Sequence, residues 1–149
     1  MSKTENRPDV HDIASARLKS INQRYSDGRR RLVDVLSTAQ HPLVTTEISS
    51  ATKDLPQSSV YRNLAVLEEA GVVVKVLTNG ERSAFELAED LKGHHHRLVC
   101  VSCGQVVDIE MPEVIERQLG EGLAPTAKAA GFTLLGHRLD LMGRCAQCS

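Results

Sequence analysis

Cys100-x-x-Cys103 and Cys145-x-x-Cys148 are separated by 41 residues. Each pair spaces two thiols at the bite that tetrahedral Zn²⁺ needs, and four thiolates would close a structural site to water. Two redox-active pairs, or four unrelated buried thiols, are the competing chemistries. Gly104, directly after the first pair, suits the tight backbone turn such a knuckle makes. A second constellation begins at His94-His95-His96-Arg97, which runs into Leu98-Val99-Cys100. In a strand, His94 and His96 share one side while His95 and Arg97 share the other. His137 falls on a predicted strand face with Leu139 and Leu141, within residues 133–143, and Glu116 lies on the polar edge of a helical PEVIERQL segment. Three imidazoles and one carboxylate suit Zn²⁺ or Fe²⁺, with nitrogen-rich ligation favouring zinc or other late divalent metals. The plainer alternative is a core histidine at 137 and a solvated histidine turn at 94–96.

These side chains need elements to hold them, and the pattern upstream is mainly helical. Val10, Ile13, Ala14, Leu18 and Ile21 predict a first helix over 9–24. Tyr25-Ser26-Asp27-Gly28 offers an N-cap for a second, whose apolar stripe is Leu32, Val33 and Leu36. Thr45 or Thr46 caps a short third segment, TEISSAT. From Ser58 to Ala70, Val60, Leu64 and Leu67 stand at i, i+4 and i+7 and form a buried stripe, and Gly71 stops the helix. Ser58 and Arg62 face away from that stripe, with Ser59 nearby and Tyr61 on a flank; hydroxyls, a phenol and a guanidinium suit phosphate and base-edge contacts. VVVKVLT and RSAFELA follow, joined through Asn79-Gly80, which predicts a β-hairpin. Helices followed by a two-stranded wing predict a winged helix-turn-helix whose last helix enters the major groove. Further on, Gly120, Gly122 and Pro125 predict a short or kinked helix after Leu119.

Composition narrows the classes. The 149 residues carry 18 Lys+Arg and 19 Asp+Glu, a net charge of −1, with 41% apolar residues. That balance fits one or two small globular domains and excludes wholesale disorder. No apolar run is long enough for a membrane span, and MSKTENRPDV lacks the apolar core of a secretion signal, so a cytoplasmic protein with no membrane partner is expected. The neutral total hides an asymmetry. Residues 1–75 hold 11 Lys+Arg against 9 Asp+Glu, a net of +2, while the remainder holds 7 against 10, a net of −3. All four Cys and four of the six His lie after residue 93. A mildly basic front half and an acidic, ligand-rich back half are predicted. The frayed start is expected to cover the first nine residues.

Three blocks together carry a resemblance. SSVYRNLAVLEEAGVV, GHHHRLVCVSCGQVVDI and GHRLDLMGRCAQC, in that order, resemble the recognition helix, the histidine–cysteine signature and the closing strand of the ferric uptake regulator family. The resemblance runs from about Tyr25 to Cys148. It implies an α+β fold, with a winged helix-turn-helix domain over 1–88 and a small α/β metal-binding dimerisation domain over 89–149. It implies a homodimer on an inverted-repeat, double-stranded DNA operator, with Ser58, Ser59, Tyr61 and Arg62 at the DNA. Cys100, Cys103, Cys145 and Cys148 would hold structural Zn²⁺, and His94, His96, Glu116 and His137 a regulatory Zn²⁺ or Fe²⁺. A further site is implied near His41, Glu86 and His95. There Arg97 stands where the family usually has His, leaving Asp108 as a substitute ligand or an ion-pair partner, since a guanidinium cannot ligate a metal.

The functional expectation is a metal-dependent transcriptional regulator, a repressor of metal-uptake genes with zinc favoured. Iron-responsive and peroxide-sensing regulators of the same family are the alternatives. An enzyme is not expected. A three-His, one-Glu centre could activate water as a hydrolase does, but there is no HExxH motif and no evident general base or small-molecule substrate. A zinc-stabilised protein-interaction module without DNA binding is the remaining class.

Overall fold

The computed structural model describes residues 9–77 and 83–149. The Asn79-Gly80 connection and the first eight residues lie outside that range. The chain divides into two compact units, Met1–Gly93 and His94–Ser149. The division comes five residues after the expected 88/89 boundary because the chain stays bound to the first unit beyond Ala88. The Ala88 N–H donates to the Val72 carbonyl, Arg17 pairs with Asp90, and Leu91 packs on the first unit's core.

The first unit begins with α1 (Val10–Ser20), capped by the Asp9 carboxylate accepting from the His11 N–H. α2 (Asp27–Thr38) starts at Ser26, whose hydroxyl accepts from the Arg29 N–H. His11 joins the two helices. Its Nε2 lies 2.7 Å from Asp34 Oδ1 and its Nδ1 2.5 Å from the Tyr25 hydroxyl, while the Arg30 guanidinium sits 4.6 Å over the Tyr25 ring. A two-residue strand, β1 (Leu43–Val44), then leads into α3 (Thr45–Ala51). The cap of α3 is not Thr45 or Thr46 as expected. Val44 takes that position, and its N–H donates to the Glu47 carboxylate at 2.8 Å.

α4 (Gln57–Glu69) buries Val60, Leu64 and Leu67, the predicted stripe. It ends at Gly71, whose φ of 75° is left-handed; the Val72 N–H donates back to the Leu67 carbonyl. β2 (Val73–Leu77) and β3 (Ser83–Leu87) pair antiparallel, and β1 pairs with the far edge of β3. The wing is therefore three-stranded, in the order β1-β3-β2, where two strands are expected from sequence. Its inner face and helices α1 to α4 enclose one core that includes Leu18, Leu32, Ile48, Leu64, Val73 and Leu87. The short α5 (Glu89–Lys92) closes the unit.

The second unit is built on β4 (His96–Cys100). β5 (Val106–Ile109) pairs antiparallel on one side, and β6 (Asp140–Gly143) pairs parallel on the other. Between them runs α6 (Glu113–Ala129), which continues through Gly120, Gly122 and Pro125 instead of ending near Leu119. None of its residues is buried. The strand expected over 133–143 is also shorter, since only Asp140–Gly143 pairs. Among the described residues of both units, no helix is long and apolar enough to cross a membrane.

Candidate metal centres and DNA-facing helix

β4 positions both centres. Its first residue, His96, and its last, Cys100, are an even number of positions apart and project to the same face, with Leu98 between them. Cys103 follows in the turn ending at Gly104 (φ 77°), and the parallel pairing of Cys100 with Gly143 delivers Cys145 beside it. The sulfur ligands of Cys100, Cys103, Cys145 and Cys148 all lie within 4.8 Å of one another. Cys103 Sγ and Cys145 Sγ are 3.8 Å apart. A tetrahedron with Zn–S bonds of about 2.3 Å has edges of about 3.8 Å, so the four thiols fit that ion.

Their protonation fits as well. N–H groups of Cys103 and Cys145 aim at the Cys100 sulfur and pull its thiol down to about 6. Cys148, which shares hydrogen bonds with Cys145 and Cys103, is pushed up to about 12, and Cys103 is also raised. Four sulfurs this close cannot all ionise without a cation between them.

The second cluster joins three segments of the same unit. His94 and His96 come from the start of β4, Glu116 from the first turn of α6, and His137 from the extended chain before β6. Glu116 Oε2 lies 3.2 Å from His94 Nε2 and 3.1 Å from His137 Nε2, and Glu116 Oε1 contacts His96 Nε2. His94 Nε2 and His137 Nε2 are 3.3 Å apart, and the His96 and His137 rings stack. Zn–N bonds of about 2.0–2.1 Å give tetrahedral edges of about 3.3–3.4 Å, close to these separations. Desolvation opposes ionisation of Glu116, but the hydrogen bond from His96 and the nearby imidazoles together hold its carboxyl below the ordinary range. Buried His96 leaves Nδ1 without a hydrogen-bond partner among the described residues.

Of the residues expected at a further site, His41 joins no ligand cluster among the described residues, and its Nδ1 lies 2.9 Å from the Pro42 carbonyl. Glu86 is buried on β3 in the first unit. In the second unit His95 Nε2 stands 3.8 Å from Asp108 Oδ1, and Arg97 Nε stands 3.9 Å from that same oxygen. Burial lowers the Arg97 pKa from its ordinary value, against the fields of Asp140 and Asp108. Sequence reasoning gives no sign of Asp140, because its place opposite Arg97 is set by strand register alone.

On α4, Tyr61 is 52% exposed and Ser58 and Arg62 are exposed, while Ser59 is half-buried. Behind them Arg29 donates to the Asn63 side-chain oxygen at 3.0 Å and fixes α2 against α4. A folded helix thus presents one exposed, polar and partly cationic face.

A helical and winged first unit, followed by a small sheet carrying paired cysteines and clustered histidines, defines a class that comparison with known proteins identifies. The sequence pattern of the ferric uptake regulator family matches residues 20–142, and the chain belongs to that family. It is a family of regulators, not of enzymes. The ferric uptake regulation protein of Campylobacter jejuni is 39% identical over 105 residues, 69% of this chain and 62% of that protein. The peroxide operon regulator of Bacillus subtilis is 32% identical over 147 residues, 94% of this chain and 95% of that protein. The ferric uptake regulator of Helicobacter pylori, whose structure reveals three functional metal binding sites, superposes with a TM-score of 0.70 at 25% identity, covering 99% of this chain and 97% of that one.

Proposed function

We propose that the chain is a metal-dependent, DNA-binding transcriptional regulator that acts as a homodimer on an inverted-repeat operator, with zinc as the favoured signal. Cys100, Cys103, Cys145 and Cys148 hold structural Zn²⁺. His94, His96, Glu116 and His137 hold the regulatory ion, and Ser58, Ser59, Tyr61 and Arg62 meet the DNA. The observation that carries this reading is the three-histidine, one-glutamate cluster. Its ligands come from separate segments that a cation would draw together.

Glu116 fixes the first turn of α6 against the start of β4, and His137 brings in the chain that becomes β6. Ligands drawn from parts that can move are what let an ion favour one conformation over another. The second unit also supports a dimer. Its sheet exposes Leu98, Val107 and Leu141 around a cavity of about 350 Å³, and α6 exposes Val114, Ile115 and Leu123. An apolar surface of this kind on an amphipathic helix and a small sheet marks an association site. With two subunits joined there, two α4 helices can read successive major grooves.

Operator binding by chelated protein, refilled with Zn²⁺ or Fe²⁺ at buffered free concentrations, tests the reading. Restoration by Zn²⁺ at the lower free concentration is expected. Operator affinity that ignored both ions would overturn the sensor role. Restoration by Fe²⁺ alone would favour the reading suggested by the iron-named relatives, and loss of binding after peroxide treatment of the Fe²⁺ form the reading suggested by the peroxide regulator.

A further inference from the structure

Arg97 has a carboxylate opposite it on both sides. It lies on the central strand β4, paired with Asp108 on β5 and with Asp140 on β6. Directly paired residues project to one face of a sheet, so a guanidinium stands between two aspartates in a single row across three strands. His95 approaches the same face from the lead into β4. The side chains of Arg97, Asp108 and His95 are 10%, 9% and 11% exposed. This face is opposite the one that bears His96, Leu98 and Cys100.

His95 and Asp108 are both competent metal ligands, so the question is which cation they keep. An ion bound to Asp108 Oδ1 at about 2.0–2.2 Å would lie no farther than about 6 Å from Arg97 Nε, which is 3.9 Å from that oxygen. The guanidinium cannot relieve the repulsion by losing a proton, and the shielded setting leaves little solvent to screen it. A neutral histidine in its place would impose no such charge.

We infer that Arg97 is the resident cation of the Asp108–Arg97–Asp140 row, taking the place beside His95 and Asp108 that a divalent ion would otherwise fill, so that the chain loads metal at its thiolate and three-histidine centres and not on this face. The inference rests on the two-centre reading above and deepens it. It also makes this part of the sheet indifferent to metal supply. Asp108 pairs with Arg97 directly and Asp140 adds its field from the exposed strand β6, which leaves the cation held by His94, His96, Glu116 and His137 as the one that varies with metal supply.

Metal counting tests this on the full-length chain. Native mass spectrometry across buffered free Zn²⁺ should show ions at the two proposed centres in the wild type and no further specific ion. Arg97→His removes the fixed charge and adds a donor, and it should gain a third specific ion that Asp108→Asn then abolishes. Arg97→Lys keeps a cation and should stay at the wild-type count. A third specific ion in the wild type, lost in Asp108→Asn, would overturn the inference, as would a third ion in Arg97→Lys or none in Arg97→His. The wild-type and Arg97→Lys counts decide the matter even if Arg97→His fails to fold. Failure of the cysteine or three-histidine centre to load would instead overturn the proposed function, so the two failures are distinguishable.

Discussion

Glu116 touches all three histidines of its cluster, and through both oxygens. Glu116→Ala is therefore expected to remove metal control of operator binding while leaving the thiolate zinc in place; metal content and a gel shift with and without chelator measure both. The cysteines carry a pH dependence of definite sign. Cys148 rises to about 12 and Cys103 is also raised, so closing the site around a metal releases protons. Zinc affinity of that site is expected to fall as pH falls, with proton release on loading measurable in weak buffer. Tyr25 supplies a third prediction. Burial pushes its phenol up to about 12 from an ordinary value of 10.0. The folded state holds the proton more tightly than the unfolded state, so Tyr25's contribution is fully present below about pH 10 and is lost as pH rises through about 12. The thermal midpoint should drop across that interval, and Tyr25→Phe should flatten the drop.

Elements differ in how plainly the chain announces them. α4 is legible because Val60, Leu64 and Leu67 repeat at helical spacing and Gly71 supplies the left-handed stop. Leu64→Ala should cost about 2–5 kcal/mol by leaving a cavity in the core, measured by urea unfolding. β1 is not legible, since two residues show no periodicity and the pairing of Leu43 with Phe85 is long-range. α6 misleads for another reason. Gly120, Gly122 and Pro125 lower its intrinsic propensity, but propensity is only a weak prior, and the helix runs through all three while burying none of its residues. Both ligand sets could be read from residue type and spacing. Their side-by-side arrangement could not, because the parallel pairing of β6 with β4 is what brings Cys145 to Cys100. Arg97 is legible as an anomaly, whereas its second carboxylate, Asp140, becomes visible only with the register.

At the scale of the whole molecule, the second unit exposes much of its apolar surface, and the first carries a net of only +2 over residues 1–75. On the proposed function, few phosphates are neutralised by one copy, so tight operator binding is expected to need two. Ile115→Glu, placing a charge on 41%-exposed apolar surface, is expected to shift the protein to monomer by analytical ultracentrifugation and to weaken operator binding, with the thiolate zinc retained. The spacing of His96 and Cys100 along β4 has one more consequence. Strand residues obey an odd–even rule, so inserting a single residue between them would send one ligand through to the reverse face and orphan it from its companions. Inserting two would restore the face but separate the centres by about 6–7 Å more. Length variation in this stretch of the chain is therefore tolerable only in even steps, and the strand works as a two-beat reading frame for its metals.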